Sequence, residues 1–383
     1  MATLWLQYGI SLRSAWEMLR KGGTNSCYYT DYVIQYSLEI CVTHSAKIWR
    51  NISSVCIKYL KIRPVQMTRH ILWVLLSVLA LCLHAQEKVE YLPYGKMDSW
   101  TVRYIKESVL LGGKTRALYV VAKTDTIRQN KPYPYGKNGS PWCTSNAYAK
   151  VCGVEKAAVS ATPERRGNGY CCKLETTLQT VKAVGIDLNA LATGSLFTGR
   201  LLDPVTLEGC KVPMKAIDMG VPFTKRPKAL MLDYKAVIQQ GKPMVKATGS
   251  TKVTTVPGQD AGEIVLFLQH RWEDADGNIF AYRVGTATER ITKSIPNWQN
   301  DHRLTIRYGD ITKLPDYKSW EKLSKNRFMA RNSKGKMVPV QEVGYNAEVE
   351  PTHLILQISA GCQEPFVGCP GNVVWCDNIR LVY

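Results

Sequence analysis

Residues 263–289 constrain the fold of this chain more than any other stretch. Glu263 to Trp272 reads Glu-Ile-Val-Leu-Phe-Leu-Gln-His-Arg-Trp, and a second β-branched and aromatic run extends from Ile279 to about Glu289. Between them lies Glu-Asp-Ala-Asp-Gly-Asn at 273–278, and Asp276-Gly277 flanked by such runs is a strong hairpin signal. Further strands are expected at Thr101 to Lys106, Ala117 to Ala122, Gly169 to Thr176, Gly194 to Leu201, Ala229 to Val237, Arg303 to Tyr308, His353 to Ile358 and Val373 to Tyr383. Prolines and glycines punctuate the intervals, as in Lys131-Pro-Tyr-Pro-Tyr-Gly136 and Cys369-Pro-Gly371. Amphipathic helix is scarce, with one short candidate near Tyr317 to Lys325. The pattern predicts an all-β chain, a β-sandwich with the jelly roll as first choice.

The last strand carries one costly feature. A period of two places Val373, Trp375, Asp377, Ile379, Leu381 and Tyr383 on one face, and Val374, Cys376, Asn378, Arg380 and Val382 on the other. Asp377 then falls on the more apolar face beside Trp375, which this reading assigns to the core. A carboxylate there needs a hydrogen bond, an ion pair or a metal.

A second constraint sits far from the N-terminus. From Met67 the chain reads Met-Thr-Arg-His, then an apolar run from Ile71 to Leu83 broken only by Ser77, then Leu83-His84-Ala85 before the polar Gln86-Glu87-Lys88. These are the three parts of a secretory signal, and the run is shorter than the 18 or so residues of a membrane span. A signal anchor and lipidation at Cys82 are the competing readings. The reading adopted is a signal peptide at 67–85, translation starting at Met67, and residues 1–66 as an over-extended gene model outside the fold.

Residues 86–383 carry 41 Lys and Arg against 28 Asp and Glu, a net of +13. Such a surplus can serve nucleic acid, an anionic glycan or a membrane surface. No run of five basic residues occurs, so nucleic acid is not expected as a partner. Eight cysteines remain (Cys143, Cys152, Cys171, Cys172, Cys210, Cys362, Cys369 and Cys376), and an even count in an exported chain permits disulfides. Cys171 and Cys172 are adjacent on one strand and point to opposite faces. Cys362 and Cys369 flank a loop and are the disulfide candidate. No Cys-x-x-Cys is present, which removes a redox motif and a zinc ribbon.

Several segments resemble one family. They are Gly139-Ser-Pro-Trp-Cys-Thr-Ser-Asn146, Gly167-Asn-Gly-Tyr-Cys-Cys-Lys-Leu-Glu-Thr176, Thr193-Gly-Ser-Leu-Phe-Thr-Gly199, Gly220-Val-Pro-Phe-Thr-Lys-Arg-Pro227 leading into Ala229 to Tyr234, and Gly371-Asn-Val-Val-Trp-Cys-Asp-Asn-Ile-Arg-Leu-Val-Tyr383. In order, and from roughly Trp142 to Tyr383, they resemble the carbohydrate-metabolism domain (PCMD) of secreted proteins from Gram-negative gut bacteria. The resemblance implies a galactose-binding-like jelly roll at 136–383, lead-in strands at 86–135, export to the periplasm, outer-membrane surface or medium, and a role in glycan handling. It brings no catalytic motif.

Sugar binding by a sandwich needs flat aromatic faces with polar neighbours. The candidates are Tyr133 and Tyr135 in a Pro/Gly-rich loop, Trp142, Trp272 at the hairpin edge, Trp298 near Pro296 and Tyr345 in a polar loop, although buried aromatics commonly fill sandwiches. Tyr133, Tyr135 and Trp298 rank first. Arg226, Lys228 and Arg283 are candidates for an anionic glycan. Asp274, Asp276 and Asn278 alternate through a turn, a pattern that with Asp377 makes structural calcium the metal to consider, against the simpler reading of a solvated hairpin tip. No other cofactor is expected. Gly112-Gly-Lys-Thr115 lacks the first glycine and the helix of a phosphate loop, and reads as a hairpin turn. A glycoside hydrolase needs two carboxylates facing each other, and only Glu263 with Glu289 could approach, depending on register. The favoured function is non-catalytic glycan binding. A glycan-active enzyme, and a structural or adhesive subunit that partners other surface proteins, are the alternatives. N-terminal sequencing of the exported protein is expected to begin at Gln86, and a start upstream of Met67 would overturn the signal reading.

Overall fold

The computed structural model describes residues 87–383 apart from 138, 184 and 185. The signal segment at 67–85, Cys82 and residues 1–66 therefore lie outside the described residues. Glu87–Tyr383 forms one compact unit, and its regular secondary structure is nearly all strand.

Two large sheets face each other. Sheet I runs, in order, Ile295–Thr305, Ala229–Val237, Val373–Val382, Gly169–Glu175 and Ala161–Arg166, with Val89–Tyr91 also paired to Val373–Val382. Sheet II runs Ile217–Met219, Ser195–Leu201, His353–Ser359, Gly262–Glu273, Ile279–Ile291, Met337–Tyr345 and Met329–Arg331. Its centre is the expected hairpin, paired antiparallel from Gly262 opposite Ile291 to Glu273 opposite Ile279. Gly277 closes the turn at φ +90°, a conformation that favours glycine. The main core lies between the sheets. Leu230, Leu232, Tyr234, Ala236, Val374, Cys376, Ile379 and Leu381 of sheet I meet Ile264, Leu266, Leu268, Val284, Leu354, Leu356 and Ile358 of sheet II.

The N-terminal strands Trp100–Lys106, Thr115–Val121 and Asp125–Ile127 form a small sheet. With the segment through Tyr135, it covers the outer face of sheet II. There Val120, Ala122, Tyr133 and Tyr135 pack on Val265, Phe267 and Ile355 in a second core. The helix expected near Tyr317 to Lys325 is a single 3-10 turn, Ser319–Glu321.

The loop at residues 360–372 is organised by a carboxylate. Asp260 is fully buried. It accepts from the backbone N–H groups of Ala261 (2.9 Å), Cys362 (3.1 Å) and Cys369 (3.0 Å) and from Asn372 Nδ2 (3.2 Å). Cys362 and Cys369, the expected disulfide pair, are free thiols. Their backbone amides converge on one carboxylate, so the loop is closed by hydrogen bonds. Asp260→Ala is expected to destabilise the fold by about 3 kcal/mol, because four donors, three of them buried, lose their acceptor. Asp260→Asn, which keeps one accepting oxygen, should cost less. Urea unfolding midpoints check both.

Candidate functional site

The outer face of sheet I gathers side chains from four strands, and two bulges decide which ones. Alternation from Leu381 and Ile379 would put Asp377 and Trp375 in the core. Instead Met231 pairs with Arg380 while Asp233 pairs with Asp377, so an extra residue is spent on the last strand. Asn378, at φ +51°, is the bulged residue. Val374 and Cys376 therefore turn inward, and Trp375 and Asp377 turn outward. This corrects the strict period-of-two reading. The other neighbour of the Ala229–Val237 strand does the same. His302 pairs with Leu232 and Gln299 with Tyr234, with Asp301 at φ +56° between them. That shift carries Trp298 to the outer face.

Asp233 sits between the two bulges and holds both. It accepts from the backbone N–H of Asp301 (2.9 Å) and from Asn378 Nδ2 (2.8 Å). Asp and Asn are the non-glycine residues that best tolerate the left-handed region. Such residues persist where surrounding contacts over-determine them, and they cluster at functional sites.

Arg166 crosses the face from the Ala161–Arg166 strand. Its Nη1 donates to Asp377 Oδ2 at 2.6 Å and its Nη2 to Asn300 Oδ1 at 2.6 Å, with Asp233 Oδ2 at 2.9 Å. Its guanidinium lies 3.8 Å from the centre of the Trp298 ring. The hairpin that carries Arg166 is pinned by Asp98, which accepts from the Tyr170 N–H at 2.9 Å. Gly169 permits that approach, since a Cβ there would lie 2.1 Å from Asp98 Oδ1. Lys235 lies between the two indoles, its Nζ 5.4 Å from the Trp298 centroid and 4.4 Å from that of Trp375. Trp375 Nε1 donates to Glu164 Oε1 at 2.8 Å. Trp298 and Trp375 are both half-buried.

The two aspartates differ electrostatically. Burial raises the Asp377 carboxyl to about 6, more than Arg166 and the Asn378 N–H offset. Asp233 is also pushed up by burial, but Asn378, the Asp301 N–H and Arg166 together bring it below its ordinary value. Environments that push paired carboxyls apart are a mark of functional sites as well as of ion-pair networks.

The family described as "putative carbohydrate metabolism domain" (PCMD) matches residues 117–382. The chain belongs to the PCMD family. No curated protein matches it. Two solved structures show a distant likeness to this PCMD chain. One, a putative glycoside hydrolase from Bacteroides thetaiotaomicron vpi-5482, has a TM-score of 0.40 and 18% identity over 74% of this chain and 71% of that one. The other, a putative glycoside hydrolase from Bacteroides vulgatus ATCC 8482, has a TM-score of 0.34 and 16% identity over 77% and 94%.

Of the residues singled out from the PCMD sequence, the fold brings Trp298 and Asp377 together. It disperses the rest. Tyr133 and Tyr135 are buried in the second core, edge-on to each other at 4.8 Å, so their ring faces are not offered to a sugar. The cause is tertiary: their loop lies over sheet II, with Arg103 under Tyr133 and paired to the buried Asp203. Trp142 is 1% exposed, its Nε1 donating to Pro93 O at 2.7 Å. Trp272 is 37% exposed at the hairpin end and stacks on Phe280 at 5.9 Å. Tyr345 lies on sheet II, opposite Arg283. Arg226 donates to Val349 O and Ala347 O and lies 4.7 Å from the Tyr308 ring, so it straps a loop. Arg283 is fully buried and paired with Glu342, which removes it as a ligand contact. Glu263 opposes Arg290 while Glu289 opposes Ile264, so the two glutamates project to opposite faces of sheet II. Glu289 instead meets His302 Nε2 (2.6 Å) and the Tyr234 hydroxyl (2.9 Å) between the sheets.

Asp274 accepts from Asn278 N and Nδ2 and so shapes its own turn. Among the described residues no group of three or more His, Cys, Asp or Glu is placed to hold a metal. At Asp377 a guanidinium already faces the carboxylate. Asp233, Lys235, Trp375, Arg166 and Glu164 were not singled out from sequence as site residues. The available signal was Asn300-Asp301 and Asp377-Asn378, residue pairs that strands disfavour and bulges accept.

The folded protein holds the Asp377 proton more tightly than an unfolded chain. Its contribution to stability is thus full below the ordinary aspartate value of 3.8 and is lost as pH rises through about 6. Arg166→Leu removes the bridging cation and should move the Asp377 titration above 6, read by carboxyl carbon NMR. A midpoint unchanged or lowered would show that Arg166 does not face this carboxylate.

Proposed function

We propose that this PCMD chain binds glycans without cleaving them, and that the site is the outer face of sheet I. One observation carries the reading: Trp298 and Trp375 flank Lys235 on a surface otherwise made of hydrogen-bonding side chains. Pyranose rings present an apolar C–H face and a rim of hydroxyls. Indoles suit the first, and Glu164, Asn300, Arg166 and Asp377 suit the second. Lys235 has ring contacts but no hydrogen bond or ion pair among the described residues, so its ammonium is available to a ligand. That favours a glycan bearing carboxylate or sulfate groups, taken up by an exported protein that is secreted or held at the outer membrane.

The elevated Asp377 beside Asp233 favours a second reading, a glycan-active enzyme. Glycosidases need two carboxyls about 5–10 Å apart with a sugar or water between them. Here the space between the aspartates holds the Arg166 guanidinium, which ties both into an ion pair. Binding is the better account.

Calorimetry with acidic and neutral polysaccharides tests the proposal. Trp298→Ala and Trp375→Ala are each expected to weaken binding about 10-fold, the loss of about 1.4 kcal/mol of stacking. Lys235→Met should abolish any preference for acidic glycans and most of the salt dependence. Undiminished binding in the folded double tryptophan variant would move the site elsewhere. Absence of binding to all glycans would end the reading, and release of reducing ends would replace it with the enzyme.

A further inference from the structure

We infer that Cys172 and Cys376 form a latent disulfide that closes while the chain folds in the presence of a thiol oxidant. The inference concerns the core and does not depend on the proposed glycan site.

The two residues are about 200 positions apart in sequence, yet they are register partners on neighbouring antiparallel strands of sheet I, Cys376 directly opposite Cys172. Directly opposed residues in such a pair have Cα atoms about 4.5 or 5.5 Å apart, and a disulfide requires about 4.4–6.8 Å. Both side chains point into the main core, where Ala161, Leu174 and Val374 also pack, and both residues are fully buried. The neighbouring Cys172 thiol and burial hold the Cys376 thiol well above its ordinary value. Cys171, adjacent in sequence, faces the other side of the sheet, where its Sγ lies 3.5 Å from Glu164 O. It does not compete for this bond.

Burial fixes the order of events. The attacking species in disulfide exchange is a thiolate, and an oxidant must reach it. Neither condition holds once the sheets have closed, so oxidation belongs to folding and not to the finished protein. One cysteine attacks an external disulfide, such as oxidised glutathione or a disulfide-bearing oxidoreductase, and releases one of its sulfurs as a thiol. The second cysteine then displaces the other. The Cys172–Cys376 bond forms, two protons leave the cysteines, and the external disulfide takes up the two electrons and is released as two thiols. The bond would fasten the C-terminal strand to the hairpin that carries Arg166.

The test is refolding of the full chain from denaturant, once with reduced and once with oxidised glutathione, followed by acid quenching, alkylation under denaturing conditions and peptide mapping by mass spectrometry. In the oxidised sample the Cys172 and Cys376 peptides should appear joined, two mass units below the sum of the reduced peptides. The urea midpoint of that sample should fall on adding dithiothreitol, and this shift should be lost in the Cys172→Ala/Cys376→Ala variant. Native, already folded reduced protein should oxidise far more slowly. Two separately alkylated peptides from the oxidised refolding, or either cysteine joined to Cys171, Cys362 or Cys369, would overturn the inference. The wild-type map decides even where the alanine variant does not fold.

Discussion

The carboxylate of Asp233 is the interaction on which the outer face depends. It lies in the middle strand of three and binds the left-handed residue of each neighbour, Asp301 on one side and Asn378 on the other. Each bulge shifts side-chain parity by one, so each changes the face of everything beyond it. Trp298 and Trp375 are both beyond a bulge. Had either strand run in strict alternation, one large indole would occupy core volume now filled by smaller side chains, and the outer face of sheet I would lack one of the two indoles that flank Lys235. A hydrogen-bonded aspartate thus determines where two tryptophans point.

The same dependence explains what could be read from sequence. The strands were legible because β-branched runs and turn residues are local signals. Ala229–Val237 has the expected bounds, and the Asp-Gly hairpin is in place. Trp298 was legible as a residue outside the core because polar and turn-forming residues surround it. Trp375 was not, since its neighbours Val373, Val374 and Cys376 are apolar and nothing local announces the bulge. Tyr133 and Tyr135 failed in the opposite sense. A Pro/Gly-rich loop reads as surface, but here it is folded against the apolar outer face of sheet II. Sequence reports what a segment prefers, and which sheet face it will cover is a property of the whole chain.

The surplus of basic residues is also clarified by placement. Arg103 and Arg283 are fully buried, each against a carboxylate, and Arg327 reaches the buried Glu263 at 2.6 Å. Pairs like these are costly to break from one side, because a buried charge would be left alone. They hold the small N-terminal sheet, the hairpin and the Ser319–Glu321 turn in position. Lys235 is held differently, lodged between the rings of Trp298 and Trp375 and not against an acid.

On the proposed reading, Arg166 is what makes this arrangement suit holding a sugar better than cutting one. A catalytic pair must keep its two carboxyls apart, with one protonated and one poised over a reacting carbon. Arg166 does the reverse: it draws Asp233 and Asp377 onto one cation and spreads that cation over the Trp298 ring. The elevated Asp377 is then a consequence of burying two acids beside a single guanidinium. What the network gains is rigidity, since ring, guanidinium and both acids fix one another before any ligand arrives. A preformed surface loses less entropy on binding any ligand, and a flexible, strongly hydrated glycan, the ligand proposed for this face, is where that saving counts most.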